Sequence, residues 1–323
     1  MEFRTFALQR GIQTIVTIFV GLTIVFLLFR LLPGDPVEML ARDPRLSPEA
    51  VLALKEAFGL DKPLYVQYYL FLVNALQLNF GISFYYKSAV SSILIRRLSN
   101  TLLLVGLGTL LSTILGLVIG IIGGWFRGKW PDKIGTIAAL LLYSMPSFWI
   151  GMVLVYAFAV VFPIFPTGGI TDIRLAGVDP FTRLWSDLRH LALPLITYSL
   201  IFAGQYAITV RNSLINVLGE DYILTAKAKG LTDMQILRRH AVKNAALPAT
   251  TLIAMNLGLM VLGTVSVETV FVWPGVGLLV YNSIMWRDFP LLQGAFIIFI
   301  VVMIVANYIA DLLYAVLDPR VRY

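Results

Sequence analysis

The chain has 323 residues, of which 59% are apolar and 13% charged, with a net charge of +7 and no cysteine; soluble domains carry about 25% charged residues. With a mean hydropathy of +0.84, it cannot be a soluble enzyme, a disordered chain or a disulfide-stapled secreted domain, and thiolate chemistry and Cys-ligated metal are excluded. In so apolar a chain the basic excess reads as the positive-inside bias of a membrane protein, not as a nucleic-acid surface.

Six charge-free windows, at 11–29, 98–126, 134–171, 191–210, 244–267 and 289–310, each hold the roughly 20 apolar residues that a helix needs to cross a bilayer. The chain therefore reads as an all-α polytopic membrane protein with six transmembrane helices. The first window runs straight into Arg30 and Leu32-Pro33-Gly34-Asp35-Pro36 with no small-residue cleavage site, so it is expected to stay as a span. Residues 33–97 follow as an extracytoplasmic segment. There Ser47 as N-cap and Pro48 at the first helical position open a helix that Gly59 ends. The stretch 63–86 is also uncharged but carries Gln67, Asn74, Gln77 and Asn79. Unpaired amides in lipid cost several kcal/mol each. It is expected to be an amphipathic surface helix with Val66, Leu70, Val73 and Leu76 on its packed side.

In the second span Gly108, Ser112, Gly116, Gly120 and Gly124 recur every four residues, a stripe that lets a partner helix approach closely. At its end, Gly123 through Lys129 matches the spacing of a P-loop, but Trp130 stands where a hydroxyl residue is needed and a helix precedes it. Trp125, Arg127 and Lys129 read instead as membrane-interface anchors. In the third span Pro146 removes a backbone hydrogen bond and is expected to kink the helix beside Ser144 and Met145. These three residues, with Asn256 and Glu268 of the fifth span, are the candidates for lining a pathway, although a packed kink and structural pairing of Glu268 explain them as well. Asp311 of the sixth span is open to the same structural reading. His190 and His240 fall on opposite sides in this topology and cannot share a metal.

Between the fourth and fifth spans lies the one long polar stretch on its side, 211–249. Residues 220–229 have helix-forming composition, Gly230 is suited to stop a helix, and Thr232 with Gln235 makes a capping box for a second one. Two short helices meeting at a glycine form a knuckle. Ala226, Ala228 and Gly230 leave room for a partner surface, and Lys227, Lys229, Arg238 and Arg239 surround it with charge. With six spans, segments 1–10, 127–133, 211–243 and 318–323 share one side, and they hold 13 of the 25 Lys and Arg against 6 of the 18 acidic residues. That side, with both termini and the knuckle, is expected to be cytoplasmic.

Asp221-Tyr222-x-x-Thr225-Ala226-x-Ala228-Lys229-Gly230-Leu231, followed by Arg239-His240-Ala241-x-x-Asn244-Ala245-x-Leu247-Pro248, resembles the cytoplasmic "EAA" loop of permease subunits of binding-protein-dependent ABC importers, in the dipeptide, oligopeptide and nickel branch. Leu32 to Pro36, Gly59 to Leu64, Gln67-Tyr68, Gly81-x-Ser83, Thr101-Leu102, Ser144-x-Pro146-x-Phe148, Leu193-Pro194, Arg211-Asn212-Ser213, Glu268 to Gly277, Arg287-Asp288-x-Pro290 and Asp318 to Arg322 extend the resemblance along nearly the whole chain. Asn79 departs from it, standing where an acidic residue is usual, and the distance from Gly230 to Pro248 exceeds the general EAA pattern. The resemblance implies a type I, MetI-like permease core at 99–323, preceded by an N-terminal helix and extracytoplasmic segment at 1–98. It further implies a second homologous permease, two cytoplasmic ATPases that bind ATP and magnesium, and an extracellular substrate-binding protein. The chain itself would hold no cofactor and catalyse nothing. Its partners would be these proteins and membrane lipid, in a prokaryotic cell membrane. Residues 220–240, including Glu220, would couple to the ATPase, with Ala226 lying against it, and the glycine stripe would face the second permease. Peptide is the expected substrate, with oligosaccharides or nickel chelates as alternatives. A secondary transporter would show inverted repeats with interrupted helices, and none is visible. A membrane-embedded enzyme would need a catalytic set that is absent.

Overall fold

The computed structural model describes residues 3–31, 61–172, 174, 177 and 179–317. The helix expected between Ser47 and Gly59, the motif at Leu32 to Pro36 and the terminal Asp318 to Arg322 lie outside the described residues. In chain order the helices are α1 (Phe3–Leu31), α2 (Leu64–Leu76), α3 (Val90–Trp125), α4 (Trp130–Ser144), α5 (Ser147–Val155, continued as a wider turn over Tyr156–Val161), α6 (Pro180–Leu218), α7 (Asp221–Ala228), α8 (Asp233–Ile236), α9 (Val242–Ala245), α10 (Leu247–Val270), α11 (Val276–Met285) and α12 (Phe289–Leu317). Among the described residues, α1, α3, α6 and the Phe289–Leu312 part of α12 are long and apolar enough to cross a membrane. The pair α4 and Ser147–Val161 qualifies together but turns through 106°. Helix α10 runs for 24 residues, about 36 Å at 1.5 Å per residue.

The third apolar window thus differs from the single kinked helix expected of it. Proline disfavours helical backbone in the residue before it, and Met145 is extended (φ −80°, ψ 139°), as is Pro146 itself (φ −60°, ψ 137°). Two successive extended residues break a helix, whereas one missing hydrogen bond only bends it. Helix α2 forms as expected and is too short to span, but its packed face is different. Tyr68, Phe71 and Leu72 meet α1, with Tyr68 Oη 2.7 Å from Thr23 Oγ1 and ring contacts to Phe26. Leu76, assigned to that face, is 82% exposed.

The long helices alternate in direction between two ends. Helix α3 packs along α6 over most of its length, and α1 lies on α12, where Gly21 lets Ile300 come close. Near the start of α1, Arg10 pairs with Asp311 at 3.5 Å and Ala7 O accepts from Tyr308 Oη at 3.3 Å. Both ends of the described chain therefore lie at the end that carries the knuckle. At the opposite end the 79–89 turn is tied to the start of α12. Asp288, fully buried, accepts from Ser83 Oγ at 2.5 Å, from Tyr85 N at 3.0 Å and from Leu291 N at 3.3 Å. Asn79, the odd residue of its motif, accepts from Gly81 N at 3.4 Å, a turn contact that an aspartate makes equally well.

Candidate functional site

The knuckle is built from its own sequence signals. Helix α7 ends in a Schellman pattern, with Gly230 N donating to Lys227 O at 2.9 Å and Leu231 N to Ala226 O at 3.3 Å. Gly230 has φ +77°, a conformation that a Cβ disfavours. Both halves of the capping box are formed, Thr232 N to Gln235 Oε1 at 2.9 Å and Gln235 N to Thr232 Oγ1 at 3.4 Å. The second arm is not one regular helix: α8 widens into a π-helical turn over Leu237–Ala241 before α9. Asn244 Nδ2 donates to Tyr222 Oη at 3.0 Å and joins the two arms.

Inside, Ile223, Ala226, Ile236, Leu237, Ala241 and Ala245 pack around Leu214 of α6, with Ile121 and Trp125 of α3 against them. This corrects the role expected of Ala226. It is 6% exposed and faces the chain's own core, not outward; at every third or fourth position of so short a helix only one side can be buried. The outward rim consists of Leu224 (58% exposed) and Met234 (54%), with Tyr222, Thr225, Ala228 and Gly230 exposed beside them. Glu220, Asp221, Lys227, Lys229, Arg238 and Arg239 are also exposed, and His240 is half-buried. Sequence reasoning named the charges but missed Leu224 and Met234. Their signal was present: two large apolar residues out of phase with the buried positions of α7 and α8.

The knuckle stands on the α3–α6 pair. Gly108, Ser112, Gly116, Gly120 and Gly124 are all buried, and each glycine of the stripe meets α6. A Cβ at Gly116 would lie 2.5 Å from Tyr206 Cβ, at Gly120 2.7 Å from Ala207 O, and at Gly124 2.9 Å from Leu214 Cβ; Gly108 meets the Tyr198 ring. The seam is therefore internal to this chain, not a contact with a second permease. An antiparallel helix of the same chain is already at hand, and small residues serve any close neighbour. At the same level Asp132 of α4, 3% exposed, binds Arg211 of α6 through two hydrogen bonds, one to Nη2 at 2.9 Å and a shorter one to Nε. Its remaining capacity is met by Gly128 N at 2.7 Å and Thr136 Oγ1 at 3.1 Å. Nothing in the spacing of two residues 79 apart announces this pair.

Of the pathway candidates, Ser144 and Pro146 are exposed and Met145 half-buried at the break between α4 and α5. Asn256 sits on α10, and its side chain lies outside the described set. Glu268 is fully buried near the far end of α10, where it accepts from Thr101 Oγ1 at 2.7 Å and Leu278 N at 3.0 Å. Thr101 Oγ1 in turn accepts from Val276 N at 2.9 Å, and a Cβ at Gly277 would lie 2.9 Å from Glu268 Oε2. Next to it, Trp273 Nε1 donates to Asn100 O and Asn100 Nδ2 to Pro274 O. The carboxylate ties α3, α10 and α11 together and meets no open surface, so the structural reading of Glu268 prevails. Among the described residues no group of three or more His, Asp or Glu side chains is arranged to hold a metal ion.

Two family models match the chain: "binding-protein-dependent transport system inner membrane component" over residues 116–323, and the N-terminal part of such components over residues 3–105. The glutathione transport system permease protein GsiC of Salmonella typhi is 33% identical over 318 residues, covering 98% of this chain and 99% of the relative. Its counterpart in Escherichia coli K12 is 32% identical over the same length. The solved inward-facing MetNI methionine ABC transporter contains a chain of the same fold, with TM-score 0.55 and 15% identity, covering 70% of this chain and 96% of that one.

Proposed function

Because the chain belongs to the family of binding-protein-dependent transport system inner membrane components, we propose that it forms half of the translocation pathway of an ABC importer for peptides. It is a multi-pass membrane permease of MetI-like fold. In this reading all six apolar windows cross the membrane, with α10 as the fifth and the broken pair α4–α5 as the third. The termini and the knuckle face the cytoplasm. Residues 1–98 precede a five-helix core at 99–323. A second homologous permease completes the pathway, and two ATPases supply energy from ATP and magnesium. An extracellular binding protein delivers the substrate.

The observation that carries this reading is the knuckle. It has an apolar core fixed to α3 and α6, and it keeps a rim of Leu224, Met234 and Tyr222 among the exposed Lys227, Lys229, Arg238 and Arg239 turned outward. A rigid projection with exposed apolar tips and a basic surround suits an acidic groove on an ATPase, and its rigidity lets a push at the rim reach the long helices. Peptide as the substrate class rests on the relatives named for glutathione, itself a peptide. Reconstitution of both permeases with the ATPases in liposomes tests the assignment. Leu224→Asp together with Met234→Asp should abolish ATP-driven uptake and release the ATPases while the chain still inserts. Wild-type uptake by that variant would move the coupling contact elsewhere. Identifying the ligand retained by the purified binding protein tests the substrate class.

A further inference from the structure

The end of the molecule opposite the knuckle carries an aromatic platform that no part of the import mechanism above uses. Tyr85 and Trp286 stack face to face, with ring centroids 3.7 Å apart and planes 6° from parallel. Tyr86 closes the group edge-on to both, at 5.2 Å and 5.7 Å. Tyr85 nevertheless remains 56% exposed, beside Ile284 (51%) and Met285 (60%) at the end of α11.

The platform is built rigidly from beneath. Asp288 and Ser83, both fully buried, hold the Tyr85 and Tyr86 backbone N–H groups at 3.0 Å each. The residues that follow Tyr86 and Trp286 both take left-handed backbone, Lys87 at φ 52° and Arg287 at φ 55°. A non-glycine residue held there costs stability, and such strain persists only where the surroundings over-determine it. Both of these residues are cationic and exposed. In the segments 77–97 and 276–290 every charged residue except the buried Asp288 is Lys or Arg. This basic concentration lies at the end opposite the knuckle, away from the segments 1–10, 127–133 and 211–243 whose Lys and Arg mark the cytoplasmic side in the reading above.

We infer that the Tyr85–Trp286 platform, flanked by Lys87 and Arg287, is a docking surface for an acidic face of the extracellular binding protein. The inference rests on the importer reading above and names the contact by which one of its partners is recognised. Aromatic and arginine side chains are the groups most enriched among energetically dominant interface residues. A platform fixed before contact loses little freedom on binding. The paired cations add orientation and a faster encounter with an acidic partner. Lipid headgroups offer anions too, but a stacked ring pair on a backbone anchored by buried hydrogen bonds gains most from a partner with a complementary solid surface.

The test uses the complete importer in liposomes, with ATP hydrolysis followed as its own purified binding protein is titrated. Trp286→Ala, Tyr85→Ala and the double change Lys87→Glu with Arg287→Glu should each raise the half-maximal binding-protein concentration about tenfold or more. The rate at saturation should stay within about twofold of wild type, because the altered residues lie far from the ATPase contact. Added salt should shrink the effect of the charge reversal and leave that of the alanine changes, since exposed charges are screened within about 8 Å at physiological ionic strength. Unchanged half-saturation in all three would overturn the inference. So would a defect that follows the anionic lipid content of the vesicles rather than the binding-protein concentration. No stimulation of the wild-type importer by any binding protein would remove the importer reading itself, and the docking surface with it.

Discussion

The two ends of the molecule are held together in opposite ways. In the knuckle the hydrogen bonds are short in sequence, Leu231 to Ala226, Gln235 to Thr232 and Asn244 to Tyr222, the last 22 residues apart, while its apolar core rests on Leu214 of α6 and on Ile121 and Trp125 of α3. At the opposite end buried carboxylates reach across long stretches of sequence, beside an apolar cluster that includes Val90, Leu94, Leu279 and Leu291. Thr101 meets Glu268 across 167 residues, and Ser83 meets Asp288 across 205. A buried carboxylate tolerates little, because every donor it satisfies is left stranded when it goes. The end expected to meet soluble ATPases thus takes its turn from local hydrogen bonds, whereas buried carboxylates at the other end join segments far apart in sequence.

The largest expected effect breaks the long-range end. Asp288→Ala leaves Ser83 Oγ and Tyr85 N, both now paired with the carboxylate, without an acceptor in a buried site. Each stranded donor costs about 1–3 kcal/mol, and the loss releases the 79–89 turn from α12. The thermal midpoint of the purified chain should fall markedly, and proteolysis should appear in the 79–89 turn. An unchanged midpoint would mean that the two segments are held by the packing of Val90, Leu94 and Leu291 alone.

A smaller and more confined effect is expected at the knuckle. Ala226→Leu inserts three carbons into the core around Leu214 and Ile223, and overpacking typically costs about 1–3 kcal/mol. Because that core lies at one end of α3 and α6, limited proteolysis should cut between 220 and 246 while the spans keep their wild-type thermal midpoint. Global unfolding at the same point would show that the knuckle is no independent unit. Gly230→Ala comes next. Open space surrounds the Cβ position, so the cost is the left-handed backbone alone, roughly 1–2 kcal/mol. Loosening of the α7–α8 turn by hydrogen exchange, with α3 and α6 unaffected, is the outcome to look for.

This division also explains what could be read in advance. The knuckle's glycine stop and capping box were visible because each is a pattern of a few adjacent residues. The glycine stripe of α3 was visible too, but a stripe says only that something comes close. That the neighbour is α6, with Tyr198, Tyr206 and Ala207 in its face, depends on the path of the chain. Ala226 was assigned to the outside because small size was read as room for a partner, when it equally suits a crowded interior. Asp132 with Arg211 and Ser83 with Asp288 were invisible as pairs for the same reason: charge and hydroxyl positions carry no address. The break at Pro146 was half legible, since proline signals a lost hydrogen bond but the extended Met145 decides between a bend and a 106° turn.

The smallest perturbation sharpens the comparison most, because it asks only where the two ends lie. Ser88 sits in the turn before α3, and Thr225 is exposed on α7 beyond its other end. Helix α3 between them has 36 residues, roughly 54 Å of rise, more than the roughly 30 Å of a bilayer's hydrocarbon. The chain contains no cysteine, so Ser88→Cys and Thr225→Cys each introduce a single thiol, and substitutions at such sites usually shift stability by less than about 0.5 kcal/mol. An impermeant thiol reagent added to intact cells should label the cysteine at 88 and reach the one at 225 only after the membrane is opened. The reverse pattern would invert the topology that basic residues at 1–10, 127–133 and 211–243 point to. Labelling of both thiols from one side would contradict the fold itself, since α3 and α6 could not then carry the knuckle and the Ser83–Asp288 contact on opposite faces of the bilayer.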